Sequence, residues 1–251
     1  MKKHRNLHLI AALFFFLVAA ACGCHIWKEE HQKEEEQQAF EQLEEQAVLP
    51  KPTTPPVLES TIYGDQEITV HDAATLQTSN SDYIGWLSIP GTVISYPVMY
   101  SPSEPERYLH QDFYGRYSYS GTPFLDARCD PYEGNLIIYG HNMINGTMFG
   151  SLKCYRNADY LNSHRTVYLE QPDGVHVFEV FAAVTLDKDD AWYSFLHAVD
   201  ANEEAAWIAD LERKGGIHTG STPISTKRLL TLSTCTGARR SERLILVAKE
   251  V

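Results

Sequence analysis

Cys235 is the side chain best suited to nucleophilic chemistry in this sequence. It closes the run Arg228-Leu-Leu-Thr-Leu-Ser-Thr-Cys235. Leucine and threonine without Gly or Pro predict a strand over Leu229–Thr234. Side chains alternate along a strand, so Cys235, Ser233 and Thr231 share one face, and Leu232 and Leu230 point toward a core. A cysteine attacks as its thiolate, and a free thiol is mostly protonated at neutral pH. A base or a cation must therefore stand close by. Asn135-Leu-Ile-Ile-Tyr-Gly-His141 supplies the base: an apolar strand that stops at Gly140 and delivers His141 at its end. Such partners meet in the fold, not in the sequence. For the cation, Arg243 opens the last strand, Arg243-Leu-Ile-Leu-Val-Ala-Lys249, after a turn over Thr236–Glu242 that also holds Arg239 and Arg240. Arg243 is preferred because alternation runs from it into Ile245 and Val247. Taken singly, a Cys or a His is more often a packed core residue. The combination is harder to read as packing alone.

The elements that must position these groups are mostly strands. Pattern and turn signals place them near Ile84–Ile89, Val93–Met99, Thr122–Asp126, Asn135–Tyr139, Thr166–Glu170, Val175–Leu186, Leu229–Thr234 and Leu244–Lys249. Pro90-Gly91, Pro131 to Gly134 and Pro172-Asp173-Gly174 punctuate them. Many short strands separated this way suggest a barrel or a sandwich. Helices are expected over His71–Leu76, over Thr147–Tyr155 and, most clearly, over Asp200–Gly216. There Asp200 can cap, with Glu203 three places on. Ala201, Ala205, Ile208 and Leu211 recur at helical spacing, and Gly215-Gly216 ends the helix.

The Leu-Ser-Thr-Cys235 motif within TLSTC, the arginine opening the next strand and YGHN around His141 resemble the class B sortases of Gram-positive bacteria. The likeness runs from about Tyr83 to Val251 and includes DYIGWLSIPGTVISYPV (82–98) and GTPFLDAR (121–128). The resemblance implies an eight-stranded closed β-barrel, with N-terminal helices and a helix inserted before the cysteine strand that walls the substrate groove. It also implies transpeptidation on exported proteins. Cys235 attacks a C-terminal sorting signal of NPxTx type and forms a thioacyl-enzyme. His141 protonates the leaving amine and deprotonates the incoming one. Arg243 donates to the carbonyl oxygen as charge builds there, and Ser233 is a candidate substrate contact. The acceptor is an amine: a lipid II or peptidoglycan cross-bridge, or a pilin lysine. No cofactor is expected. Two other readings remain open, a cysteine endopeptidase without transfer and a non-enzymatic surface-anchored module.

The amino-terminal quarter has a different character. A basic head, Met1 to Arg5, precedes Asn6–Trp27, which contains no Asp, Glu, Lys or Arg. About 20 apolar residues span a bilayer, so Leu7–Trp27 is expected to be a single-pass anchor with the following domain outside the cell. A cleavage site at Ala19-Ala20-Ala21 and lipidation of Cys22 are the alternatives. Lys28–Ala47 holds eight Glu and two Lys and lacks Gly, Pro and β-branched residues. It predicts an acidic helical stalk with a thin stripe of Ala39, Phe40, Leu43 and Ala47. The Pro-rich stretch Pro50–Pro56 reads as a stiff linker. The expected organisation is 1–27 head and anchor, 28–57 stalk and linker, 58–251 catalytic domain. A formal net charge of −12 argues against nucleic-acid binding, and no histidine spacing suggests a metal site. Cys129 and Cys154 lie in or beside predicted loops and are candidates to pair in an oxidising exterior.

Overall fold

A computed structural model describes residues 2–48, 70–220 and 228–251. The expected linker over Pro50–Pro56 lies outside the described residues. The chain divides into two compact units, Met1–Gln42 and Leu43–Val251. The first lies within one helix, α1 (Lys2–Ala47), whose last residues belong to the second unit. Among the described residues no helix is long and apolar enough to cross a membrane. Part of the expected anchor, residues 7–14, lies among side chains outside the described residues.

The second unit is a β-barrel. After α2 (Ala73–Ser79) come β1 (Tyr83–Ser88), β2 (Ser95–Met99), β3 (Phe124–Leu125) and β4 (Gly134–Tyr139). A 3₁₀ turn over Gly150–Arg156 and α3 (Ala158–Ser163) lead to β5 (Thr166–Gln171) and β6 (Gly174–Asp187). Then follow α4 (Ala201–Arg213), β7 (Ile217–His218), β8 (Arg228–Cys235) and β9 (Glu242–Glu250). The strand order is β5-β1-β2-β3-β4-β8-β9-β6-β7, and β5 also pairs with β6. That extra pairing closes eight strands into a barrel and leaves two-residue β7 as an appendage. Closure removes the exposed edges that an open sheet would present. All eight expected strands form. The Thr122–Asp126 strand is shortened to two residues, and the helix expected over Thr147–Tyr155 is the 3₁₀ turn. Asp200 caps α4 as its spacing predicts, accepting from the amides of Asn202 and Glu203 at 2.9 Å. Ile208 and Leu211 of the expected stripe are fully buried and serve packing, whereas Ala201 and Ala205 are exposed.

The end of α1 is part of the barrel unit's core. Leu43 and Ala47 pack with Leu76, Tyr83, Trp86, Met99 and Tyr108. A buried polar set ties this turn down. His71 stacks on Trp86 with ring centroids 4.0 Å apart. Its Nδ1 stands 3.0 Å from Glu170 Oε1, and its backbone N–H donates to Glu170 Oε2 at 2.9 Å. Glu44 Oε1 lies 3.8 Å from His71 Nε2, an ion-pair distance rather than a hydrogen bond. It also accepts from Ser95 Oγ at 2.6 Å, which in turn accepts from Trp86 Nε1–H at 3.0 Å. Burial disfavours a charged His71, but its contacts with Glu170 and Glu44 outweigh that and raise its pKa. A raised histidine pKa in the folded state binds protons that the unfolded chain releases. Its contribution is full below the ordinary value of about 6.5 and is lost as pH rises through the raised value. We expect thermal stability to fall across that window, and His71→Asn to flatten the dependence, as measured by unfolding at a series of pH values.

Candidate active site

The parallel pairing of β4 with β8 fixes the site. Their register runs from Gly134 opposite Arg228 to Tyr139 opposite Ser233. It is continued past the strand end by Gly140 N–H to Ser233 O at 3.2 Å and by Thr234 Oγ1–H to Gly140 O at 2.7 Å. His141 and Cys235 each stand two residues beyond the last pair, Tyr139 and Ser233, at the same end of the two strands. On the other flank, β8 and β9 are antiparallel and Cys235 is directly opposite Arg243. Adjacent strands lie about 4.8 Å apart, and facing residues project to the same side. His141, Cys235 and Arg243 therefore form a row of positions at the same end of three neighbouring strands, at one rim of the barrel. The row is open: Cys235 is exposed although the rest of β8 is buried.

Each member of the row is held differently. Gly140 lets the Phe149 ring pack against the end of β4, because a Cβ there would come within 2.7 Å of it. His141 then makes two anchoring contacts. Its carbonyl accepts from the Phe149 N–H at 3.0 Å, and its Nε2 lies 2.9 Å from the Leu109 carbonyl oxygen. The exposed ring of His110 stands 5.5 Å away, centroid to centroid. Arg243 Nη1 donates to the carbonyls of Arg240 at 2.8 Å and Glu242 at 3.1 Å, which folds the guanidinium over the preceding turn. The competing Arg239 is exposed and pairs with Glu242 at 3.4 Å. Arg240 is exposed as well and outside the register.

The family model of the sortase domain matches residues 87–251. The chain belongs to the sortase family. Sortase B of Listeria monocytogenes is 32% identical over 181 residues, which cover 70% of this chain and 72% of that protein. The crystal structure of Clostridium perfringens sortase B matches with a TM-score of 0.65 at 29% identity, over 71% of this chain and 98% of that one. The Staphylococcus aureus sortase B–substrate complex shares the fold, with a TM-score of 0.72 at 23% identity, over 88% of this chain and 98% of that one. Class B sortases are thus the relatives and the structural neighbours, and this sortase is a cysteine transpeptidase.

The face of β8 that carries Thr231 and Ser233 is covered, a feature the alternation pattern does not reveal. The segment Trp192–Leu196 lies across it. Trp192 Nε1–H donates to Thr231 Oγ1 at 3.2 Å, and Thr231 donates to Asn135 Oδ1 at 2.8 Å. Asn135 Nδ2–H donates to the Phe195 carbonyl at 2.9 Å. Ser233 is buried, with its Oγ 2.8 Å from the Tyr193 hydroxyl. Tyr193 is further fixed by Arg128, which donates to its carbonyl at 2.9 Å while holding Asp126 through two hydrogen bonds. Asp126 accepts from Tyr139 at 2.9 Å. GTPFLDAR was legible as a family-like stretch, but not as the brace under a tyrosine beside the thiol. The Lys214 ammonium, just past α4, reaches Asp190 at 2.5 Å, and Asp190 caps the turn that presents Trp192 and Tyr193.

All five cysteines are free. Cys129 is buried with its thiol 3.3 Å from the Asn135 carbonyl, whereas Cys154 is exposed, so the pair considered from sequence is not formed. Burial pushes the Cys129 thiol up to about 11, which keeps it protonated and inert.

Burial is also the main influence on His141. It lowers the imidazole pKa against the opposing pull of the Leu109 carbonyl, and the charge of nearby His110 lowers it further. A histidine held neutral in the fold has its linked stability intact above about 6.5, and loses it as pH falls through that value toward the lowered one. The sign is opposite to that of His71. We expect the His141 resonances to titrate with a midpoint below that of a free histidine in a pH series of NMR spectra.

Proposed function

We propose that this sortase cleaves a C-terminal sorting signal of NPxTx type on exported proteins and transfers the new carboxyl terminus to an amine. Cys235 is the nucleophile, His141 the general acid and base, and Arg243 the donor to the developing oxyanion. The register row of His141, Cys235 and Arg243 at an open rim carries this reading. Attack by the Cys235 thiolate on the scissile carbonyl forms the C–S bond, and His141 protonates the amine that leaves. The incoming amine gives its proton to His141 as it displaces the thiolate. In this reading the Arg243 guanidinium swings from the Arg240 and Glu242 carbonyls to the oxygen that gains charge, and a guanidinium there stabilises the oxyanion more than the neutral carbonyl. Ser233 acts on substrate through Tyr193, whose hydroxyl it holds, rather than by direct contact.

The acceptor is a cell-wall cross-bridge amine or a pilin lysine. The apolar run over Leu7–Trp27 tethers the chain to the cell membrane, with the catalytic domain on the outer side. Its lack of charged side chains after a basic head supports this.

Cys235→Ala is expected to eliminate the thioacyl-enzyme seen by mass spectrometry with an NPxTx-type peptide, and His141→Ala to reduce turnover almost as far. Arg243→Lys keeps the charge but loses the planar fork and is expected to lower kcat/KM by about 10²- to 10³-fold. Arg240→Ala should stay close to the parent, and a larger loss there would reassign the guanidinium. An added amine nucleophile should yield the amide product; acid alone would indicate a protease. In fractionated cells, removal of residues 1–27 should shift the protein out of the membrane fraction, and unchanged partitioning would defeat the tether.

A further inference from the structure

The only hydrogen bond to the His141 ring among the described residues comes from a peptide group, not from a carboxylate. Nε2 stands 2.9 Å from the Leu109 carbonyl oxygen. A carbonyl oxygen only accepts, so Nε2 carries the hydrogen, and in the neutral ring the free lone pair is on Nδ1. That carbonyl is itself placed with little freedom. Leu109 ends a 3₁₀ turn, Arg107–Leu109, whose Tyr108 carbonyl accepts from the Thr122 N–H at 2.9 Å. Gly121 packs against both oxygens. Its φ is +60°, and a Cβ at that position would lie 2.5 Å from the Leu109 and Tyr108 carbonyl oxygens alike. The Ser118 hydroxyl holds the Gly121 N–H at 3.1 Å.

We propose that the Leu109 carbonyl, kept in place by the missing side chain of Gly121, fixes His141 as the Nε2–H tautomer, so that Nδ1 is the nitrogen that exchanges protons with the leaving and incoming amines. This assignment rests on the transpeptidase reading above. The cycle balances. The thiol proton resides on Nδ1 when Cys235 is a thiolate. Nδ1–H passes it to the amide nitrogen as the C–N bond breaks, which leaves a neutral Nε2–H ring. Nδ1 then takes a proton from the incoming amine as the new C–N bond forms and the C–S bond breaks. The thiolate and the imidazolium are restored together. Throughout, the Leu109 carbonyl does for the ring what an orienting carboxylate does in other nucleophile–histidine pairs: it holds the tautomer and favours the imidazolium. Gly121 is a positioning residue, and Leu109 acts through its backbone alone.

The test is made on the full-length chain and has a spectroscopic and a kinetic arm. Imidazole ¹⁵N spectra of the free protein above the His141 midpoint should show Nε2 protonated and Nδ1 bare; the reverse pattern overturns the proposal. Replacing His141 by Nδ-methylhistidine blocks Nδ1, and peptide cleavage and transfer should both drop to background; retained turnover also overturns it. Gly121→Ala should lower kcat by about 10- to 100-fold through misplacement of the ring, with KM within about twofold, and should erase the single-tautomer signature. A folded Gly121→Ala with parental kcat and tautomer would remove Gly121 from the assignment. If that variant fails to fold, Ser118→Ala takes its place, and an unchanged tautomer ratio there has the same consequence. Acid without amide product from the parent chain in the presence of an added amine would defeat the transpeptidase reading instead, and the spectra would still report the tautomer.

Discussion

The in-register parallel pairing of β4 with β8 is the constraint on which everything else in this sortase depends. Parallel neighbours cannot be joined by a tight turn, so the crossover between them is long. Here it holds α3, β5, β6, α4 and β7. What the arrangement provides is alignment: both strands end at the same rim, where Cys235 closes β8 and His141 follows β4 by two residues. A slip of one residue would turn one of the two side chains to the opposite face. The burial of β8 from Arg228 to Thr234 opposes such a slip, because any shift would misplace leucines on one face and hydrogen-bonded hydroxyls on the other.

Those hydroxyls make the covered face specific. An apolar sheet face would accept many coverings. Thr231 and Asn135 accept one, since each must satisfy its hydrogen bonds with Trp192 or Phe195 in a particular geometry. A buried polar group left unpaired costs about 1–3 kcal/mol, so the Trp192–Leu196 segment and the strands determine each other's positions. The segment Trp192–Leu196 then presents Tyr193, stacked on Tyr139 and held by Ser233 and by Arg128, near Cys235 and Arg243. Rigidity at that rim derives from contacts one layer below it, where neither substrate nor water needs to enter.

The parts of this design that were legible in the sequence are those governed by local rules. The strands with Cys235 and His141 at their ends announce themselves by composition and by the glycine at 140. The cap at Asp200 follows from spacing alone. Arg243 could be preferred over its neighbours because alternation into Ile245 and Val247 sets its face. What escaped are the long-range polar matches. Nothing around Tyr193 shows that it will meet Ser233, forty positions away. Nothing near Leu109 marks its carbonyl as the partner of His141. The stripe of Leu43 and Ala47 was visible, but a thin stripe looks the same whether it faces solvent or a barrel. Only the set of Glu44, His71, Ser95, Trp86 and Glu170 shows which, and its members are scattered over the sequence.

That last set has a practical bearing on how the catalytic portion is isolated. Composition suggests a boundary at the proline-rich stretch, yet that would discard Leu43, Glu44 and Ala47. Trp86 and His71 would keep their places on the barrel with one side stripped of its covering, and the Ser95 hydroxyl would lose its acceptor. A fragment for crystallisation or solution work should therefore begin upstream of the final turn of the long acidic helix, so that the barrel retains its own lid.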